Sequence, residues 1–290
     1  MDATMLSLEL KQRYDAQSKK VDSVVPNLAG NYVQTSFGPV WVMTAGAEDA
    51  PPLLLLHGLH TVAPFCIEFF AKLAEKYHII CPDIPGQAGK TPGMAPIPNN
   101  QAYAIWLDSL LDSLKIERCA AVGLSFGGAL LLDLATRSPT RLSAVSLVVP
   151  AGFFRPIWRP LKKLFMPFIS FKLHTDQLHF DQLMKPLMGD NWPELESYYF
   201  SVFQAGIPMT LLPPGPFEAK DLIKFTSPVQ LILATDDIYF APSKVEKYAR
   251  AVMPNLSQVI EIEDLHVPSV ENRERIQDQV LEFMQKESRV

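Results

Sequence analysis

Gly123-Leu124-Ser125-Phe126-Gly127-Gly128 is the stretch on which the reading of this chain turns. Residues 120–123 before the serine are an apolar run of strand character, and residues 126–137 after it have helical spacing. A serine with glycine two positions before and two after, on a strand-to-helix turn, is the context that a nucleophile elbow requires. The requirement is steric. The turn is strained, and a Cβ at either glycine would meet neighbouring backbone. Such a turn lifts the Ser125 hydroxyl above the sheet and sets the helix N-terminus beneath a developing anion.

Outward from the elbow, the same strand-and-helix alternation continues in both directions. Residues 31–36 and 40–44 flank Phe37-Gly38-Pro39 as an opening hairpin behind a polar, helical leader. Residues 53–56 and 78–81 are continuous apolar runs, hence strands buried on both faces, with a helix expected over 67–75 between them. A helix over 101–114 and a strand over 144–149 flank the elbow unit. The pattern resumes with strands at 229–234 and 258–262 and helices at 243–253 and 273–286. This is an α/β chain with a mostly parallel central sheet flanked by helices. Ten of the 25 prolines fall between Pro150 and Pro216, where no strand-like run occurs. The expected organisation is therefore a core over residues 1–149 and 226–290, interrupted by an inserted helical cap over residues 150–225.

A serine hydroxyl is a weak nucleophile at neutral pH and needs a base, which in turn needs an orienting acid. Of six histidines, His266 alone lies outside the cap and in the loop between the last strand and the last helix. The acid is expected at Asp237, with Asp236 as the alternative, directly after the strand that ends at Ala234. The order Ser125, Asp237, His266 is the order this class of hydrolase requires, each residue following a separate strand. An oxyanion needs preorganised donors. The backbone amides of Phe126 and Leu59 are the candidates, Gly58 letting the His57-Gly58-Leu59-His60 loop turn in close. His57 itself reads as structural, bonded beneath the site.

Composition narrows the remaining possibilities. A net charge of -5 gives no basic surface for nucleic acid. Cys66, Cys81 and Cys119 have no zinc-type spacing and read as buried thiols of a reducing compartment. Residues 1–20 mix charges with scattered leucines and lack the apolar core of a signal peptide, and no run has the roughly 20 apolar residues of a membrane span. The expectation is a cytoplasmic protein without stable membrane insertion, of open oligomeric state.

The set Leu54-Leu55-Leu56-His57-Gly58, Asp83-Ile84-Pro85-Gly86, Gly123 to Gly128, Asp237 and His266 resembles the α/β-hydrolase superfamily from about Tyr32 onward. Phe37-Gly38, the segment from Ala45 to Pro52 and Tyr103-Ala104-Ile105-Trp106-Leu107 are similar to bacterial carboxylesterases of the naproxen-esterase type. Two positions depart from the family pattern: Ala234 and Leu265 stand where glycine is usual before the acid and before the histidine. The resemblance implies a serine carboxylesterase that cleaves small to medium hydrophobic esters through an acyl-enzyme, with no metal or organic cofactor. The same triad supports C–C, lactone or amide hydrolysis, and a ligand receptor on the same scaffold is the non-enzymatic alternative.

The cap supplies the candidate substrate contacts. Phe153 to Leu173 interleaves aromatic and basic residues, which is the pattern of an amphipathic helix seated on the body with its cations in water. Part of its aromatic face, represented by Phe154, Trp158 and Phe165, is the candidate lining of an acyl pocket.

Overall fold

Apolar runs too short for helices and too continuous for a one-sided sheet assemble here into eight strands. The computed structural model describes residues 7–93, 95–96, 101–155, 158–189, 192–207 and 212–287, with backbone alone at 158–162. After α1 (Leu8–Asp22), the strands are β1 (Ala29–Thr35), β2 (Gly38–Ala45), β3 (Pro52–Leu56), β4 (His78–Pro82), β5 (Cys119–Leu124), β6 (Leu142–Val148), β7 (Val229–Ala234) and β8 (Leu256–Ile262). They lie in the order β1-β2-β4-β3-β5-β6-β7-β8. The β1–β2 and β2–β4 pairs are antiparallel, and all pairs from β4–β3 to β7–β8 are parallel.

Alternation along each strand divides the core into two layers. Leu53, Leu55, Val122 and Val148 face one way, and Leu54, Leu56, Ala121 and Leu147 face the other. The first layer is closed by α2 (Ala63–Phe69) and α10 (Val270–Glu287), through Phe65, Ile67, Ile276 and Val280. The second is closed by α3 (Ala102–Ser113) and α4 (Phe126–Arg137), through Trp106, Leu107, Leu130 and Leu134. Each fully buried leucine contributes roughly 1.5–3 kcal/mol, so the central strands hold the frame on which the loops sit.

The expected helix over 67–75 is a correction. The chain turns helical earlier, at Ala63 with Pro64 in the first turn, and α2 ends at Phe69. The Phe70 amide donates to both the Cys66 and Ile67 carbonyls, at 3.1 and 3.2 Å, and the chain tightens into a 3-10 turn over Ala71–Glu75.

Between β6 and β7 the described residues form α5 (Trp158–His174), α6 (Gln177–Met184), α7 (Pro193–Gln204) and α8 (Ala219–Leu222). β6 and β7 nevertheless pair directly, from Val145 with Val229 to Val148 with Ile232. The helices therefore stand outside the sheet. α5 is held by Leu164 and Phe171, the latter edge-on to Phe180 and Phe203. On its other side Lys163 and Lys172 are exposed, and Phe165, Met166 and Leu173 are exposed with them, because only one row of the helix reaches the aromatic cluster of α6 and α7. α9 (Pro242–Val252) completes the body. All three cysteines are buried and free. Among the described residues no helix is long and apolar enough to cross a membrane.

Candidate active site

Parallel strands place their carboxyl ends on one edge, and β3, β5, β7 and β8 each deliver a loop there. Ser125 follows β5 with φ 49° and ψ −108°, a conformation costly for a residue with a side chain. The turn is tied down on both sides. The Ser125 amide donates to the Val148 carbonyl at 2.9 Å, and the Ser125 carbonyl accepts from Gly128 and Ala151 at 3.0 Å. A Cβ on Gly123 would sit 2.7 Å from the Gly128 backbone, and one on Gly127 would overlap the Leu56 carbonyl. The two glycines let β3, β5 and α4 meet at the elbow.

His266 reaches the serine from the loop after β8. Its Nε2 lies 2.8 Å from Ser125 Oγ, and its Nδ1 lies 2.8 Å from Asp237 Oδ2. With Nδ1–H donating to the carboxylate, Nε2 is free to accept the serine hydroxyl proton. The Asp237 side chain is 1% exposed, and its Oδ1 accepts the amides of Tyr239 and Phe240 at 2.7 and 2.9 Å. These two bonds fix the carboxylate before it meets the histidine. Asp236, the other candidate, is exposed and directs its amide to the Asp264 carbonyl at 3.0 Å. The imidazole is walled by Tyr239 and Phe240, with ring centroids 5.0 and 5.6 Å away. Burial, with Asp237 adding to it, pushes the Tyr239 phenol up to about 12, so it stays protonated near neutrality.

The loop after β3 closes over the elbow, where a Cβ on Gly58 would stand 3.7 Å from Ser125 Cβ. Among the described residues the amides of Leu59 and Phe126 donate to no protein acceptor. The Leu59 carbonyl accepts a long bond of 3.4 Å from Tyr199 of α7. Beneath, His57 is fully buried. Its Nδ1–H donates to the Gly58 carbonyl at 2.8 Å, and its Nε2 accepts the Ile84 amide at 3.0 Å. Burial lowers its pKa to about 4, so it is a neutral strut between the loops after β3 and β4. Asp83, beside it, accepts the amides of Ala63 and Lys90 at 2.9 and 2.7 Å. Burial raises that carboxyl to about 6.

The remaining sequence candidates divide. Phe154 packs edge-on to Phe240 at 5.9 Å, one ring removed from His266. Phe165 is 61% exposed on the outer side of α5, away from the buried row. The Trp158 side chain lies outside the described residues. Sequence reading missed Asp264. Its Oδ1 accepts the Leu265 amide, and its Oδ2 accepts Ser269 N and Oγ and Asn272 Nδ2, all between 2.7 and 2.9 Å. An Asp two residues before the histidine, with Ser and Asn following, was the available turn signal. A contact from the helical insertion was equally hidden: the Val267 amide donates to the Leu187 carbonyl at 2.8 Å.

A parallel sheet with a strained Gly-x-Ser-x-Gly turn at one strand end, and a histidine and an aspartate at two others, defines an α/β hydrolase. The sequence profile of the alpha/beta hydrolase family matches residues 53–278, and the chain belongs to that family. Within it the chain resembles bacterial carboxylesterases of the naproxen-esterase type. It is 26% identical to the uncharacterized carboxylesterase nap of Bacillus subtilis over 272 residues, covering 89% of this chain and 87% of that protein. It is 24% identical to carboxylesterase YbfK of the same organism, covering 87% and 86%. The crystal structure of naproxen esterase from Bacillus subtilis superimposes with a TM-score of 0.71 at 24% identity, over 97% of this chain and 99% of that one. That of carboxylesterase CesB (YbfK) gives 0.77 at 22%, over 96% and 99%.

Proposed function

We propose that the chain is a serine carboxylesterase acting on small to medium hydrophobic esters. The observation that carries this reading is the continuous relay from Ser125 Oγ through His266 to Asp237, with both links at 2.8 Å. Its carboxylesterase relatives favour esters over the lactone, amide and C–C alternatives.

In this reading Ser125 Oγ attacks the ester carbonyl carbon while its proton passes to His266 Nε2. The negative charge that collects on the carbonyl oxygen falls to the amides of Leu59 and Phe126. Each such donor is worth roughly 10²- to 10³-fold in rate. Collapse of the tetrahedral intermediate breaks the bond to the alcohol, which leaves with the proton from Nε2. Water then enters, gives a proton to the same nitrogen and attacks the acyl carbon. The bond from Ser125 Oγ to the acyl carbon then breaks, Nε2 returns its proton to Oγ, and the acid departs. Asp237 keeps its proton-free form throughout and holds the imidazole in the productive tautomer.

Residues 150–225 act as an inserted cap on the core of 1–149 and 226–290, a division supported by the direct β6–β7 pairing on either side of α5–α8. Phe154 lines the substrate space beside Phe240. The three buried free thiols fit a reducing compartment such as the cytoplasm. Incubation with a fluorophosphonate probe, followed by peptide mapping, should place the adduct on Ser125, and p-nitrophenyl butyrate should be hydrolysed. Ser125→Ala should lose both signals. Folded protein that neither labels nor turns over any ester, yet is stabilised by an ester ligand, would instead identify a receptor.

A further inference from the structure

We propose that the outward side of α5 docks on the surface of an anionic lipid bilayer. Phe165, Met166, Ile169 and Leu173 are 61, 67, 39 and 75% exposed, while Leu164 and Phe171 on the opposite side are buried. At the helical repeat the four exposed residues fall within an arc of about 100°. They form a row of apolar side chains along about two and a half turns of helix surface, with Leu178 of α6, 63% exposed, beyond the end.

The charges of the segment that carries α5 have one sign, with the first acidic residue after it, Asp176, capping α6. Residues 150–175 contain Arg155, Arg159, Lys162, Lys163 and Lys172 and no acidic residue. That segment carries +5 and the rest of the chain −10, for the net −5. Arg155, Lys163 and Lys172 are exposed and, among the described residues, have no carboxylate partner. An anionic sheet of headgroups would attract this side more than the net acidic remainder of the chain, which favours one orientation of approach. The apolar tips would then sink into the headgroup and acyl boundary, as in helices that lie in the membrane plane without crossing it. A bilayer suits this surface because exposed apolar tips beside these cations match an apolar interior beneath anionic headgroups.

The placement has a consequence for access. α5 begins four residues after Phe154, whose ring contacts Phe240, which contacts His266. Docking of α5 would hold this end of the chain, and the ring contacts that lead to His266, near the interface. It is a binding property and stands whether or not Ser125 is the nucleophile.

The test is co-sedimentation of the full chain with vesicles of phosphatidylcholine alone or with roughly 30% phosphatidylserine. Partitioning into the anionic vesicles should be at least about 10-fold stronger and should fall as salt is raised. Met166→Ser/Ile169→Ser/Leu173→Ser should weaken it by about 10-fold or more, with unchanged circular dichroism and unchanged turnover of soluble p-nitrophenyl butyrate. Lys163→Glu/Lys172→Glu should remove the preference for phosphatidylserine. Absence of partitioning, equal partitioning of the variants, or indifference to lipid charge overturns the proposal. So does a lipid-free dimer that the triple variant turns into monomer, since a second copy would then cover the face.

Discussion

Asp264 accepts the amide and the hydroxyl of Ser269 on a single carboxylate oxygen, at 2.8 and 2.9 Å, across the turn that carries His266. Asn272 adds a third donor at 2.7 Å, and the Asp264 carbonyl accepts the Asp236 amide from the neighbouring loop. One residue therefore braces the histidine loop and joins it to the loop of Asp237. This is how Leu265, where the family usually has glycine, coexists with a histidine aimed at Ser125.

Asp264→Ala removes the brace without touching the triad, so kcat should fall more than KM rises. A displacement of His266 on the 1 Å scale costs up to about 10²-fold in rate. Asp264→Asn keeps an acceptor toward Ser269 and should recover most of the loss. Steady-state kinetics on p-nitrophenyl butyrate decide it, and equal, wild-type kcat for both variants sinks the idea.

The adjacent aspartates should separate cleanly. Asp237→Asn leaves the Tyr239 and Phe240 amides an acceptor but destabilises the tautomer in which Nδ1 donates, and kcat should drop by about 10⁴-fold. Asp236→Asn alters an exposed side chain and should stay within a few-fold of wild type. A reversed order of the two would assign the acid to Asp236.

His57 predicts a pH signature in stability. Its pKa is lowered by burial from 6.5 to about 4, so the unfolded chain binds the proton first as pH falls. The neutral ring therefore contributes stability above pH 6.5 that is lost on acidification toward pH 4. Between pH 7 and pH 5 the loss is about 2 kcal/mol. Asp83 and Asp133, raised to about 6 by burial, run the other way, favouring the folded state as pH drops from about 6 to 4. The two trends mask each other in the wild type. Urea unfolding of His57→Gln beside wild type isolates the first: the gap between the two proteins should narrow at pH 5. A gap independent of pH would show that His57 titrates normally.

Much of this arrangement is legible in the sequence. The elbow can be read because its glycines obey a local steric rule, and the meeting of Ser125, His266 and Asp237 at one sheet edge because each follows its own strand. The parallel frame was readable for the same reason, since strands buried on both faces are plainly apolar. Asp264 was not, because bonds within a turn leave no periodicity. The bond from Val267 to Leu187 was hidden too, as it joins residues 80 apart through backbone atoms that carry no side-chain signature. The helix over 67–75 was misplaced because apolar spacing alone does not register Pro64 as the start or Phe70 as the break.

Gly127 offers the sharpest test of the elbow itself. A Cβ there would overlap the carbonyl of Leu56, the last residue of β3, and β3 leads straight into Gly58 and Leu59. Gly127→Ala must therefore push α4 away from β3 or distort the loop that offers the Leu59 amide. Overpacking of this kind costs about 1–3 kcal/mol, which lowers Tm by several degrees in a chain of this size. The catalytic penalty should exceed the thermal one, because both candidate oxyanion donors flank the contact and hold their geometry only while β3 and α4 touch. Gly189→Ala, where a Cβ meets nothing within 4 Å among the described residues, is the matched control and should leave both readouts unchanged. If Gly127→Ala melts with the wild type and keeps its kcat, the close approach of β3 to α4 is not what shapes the site.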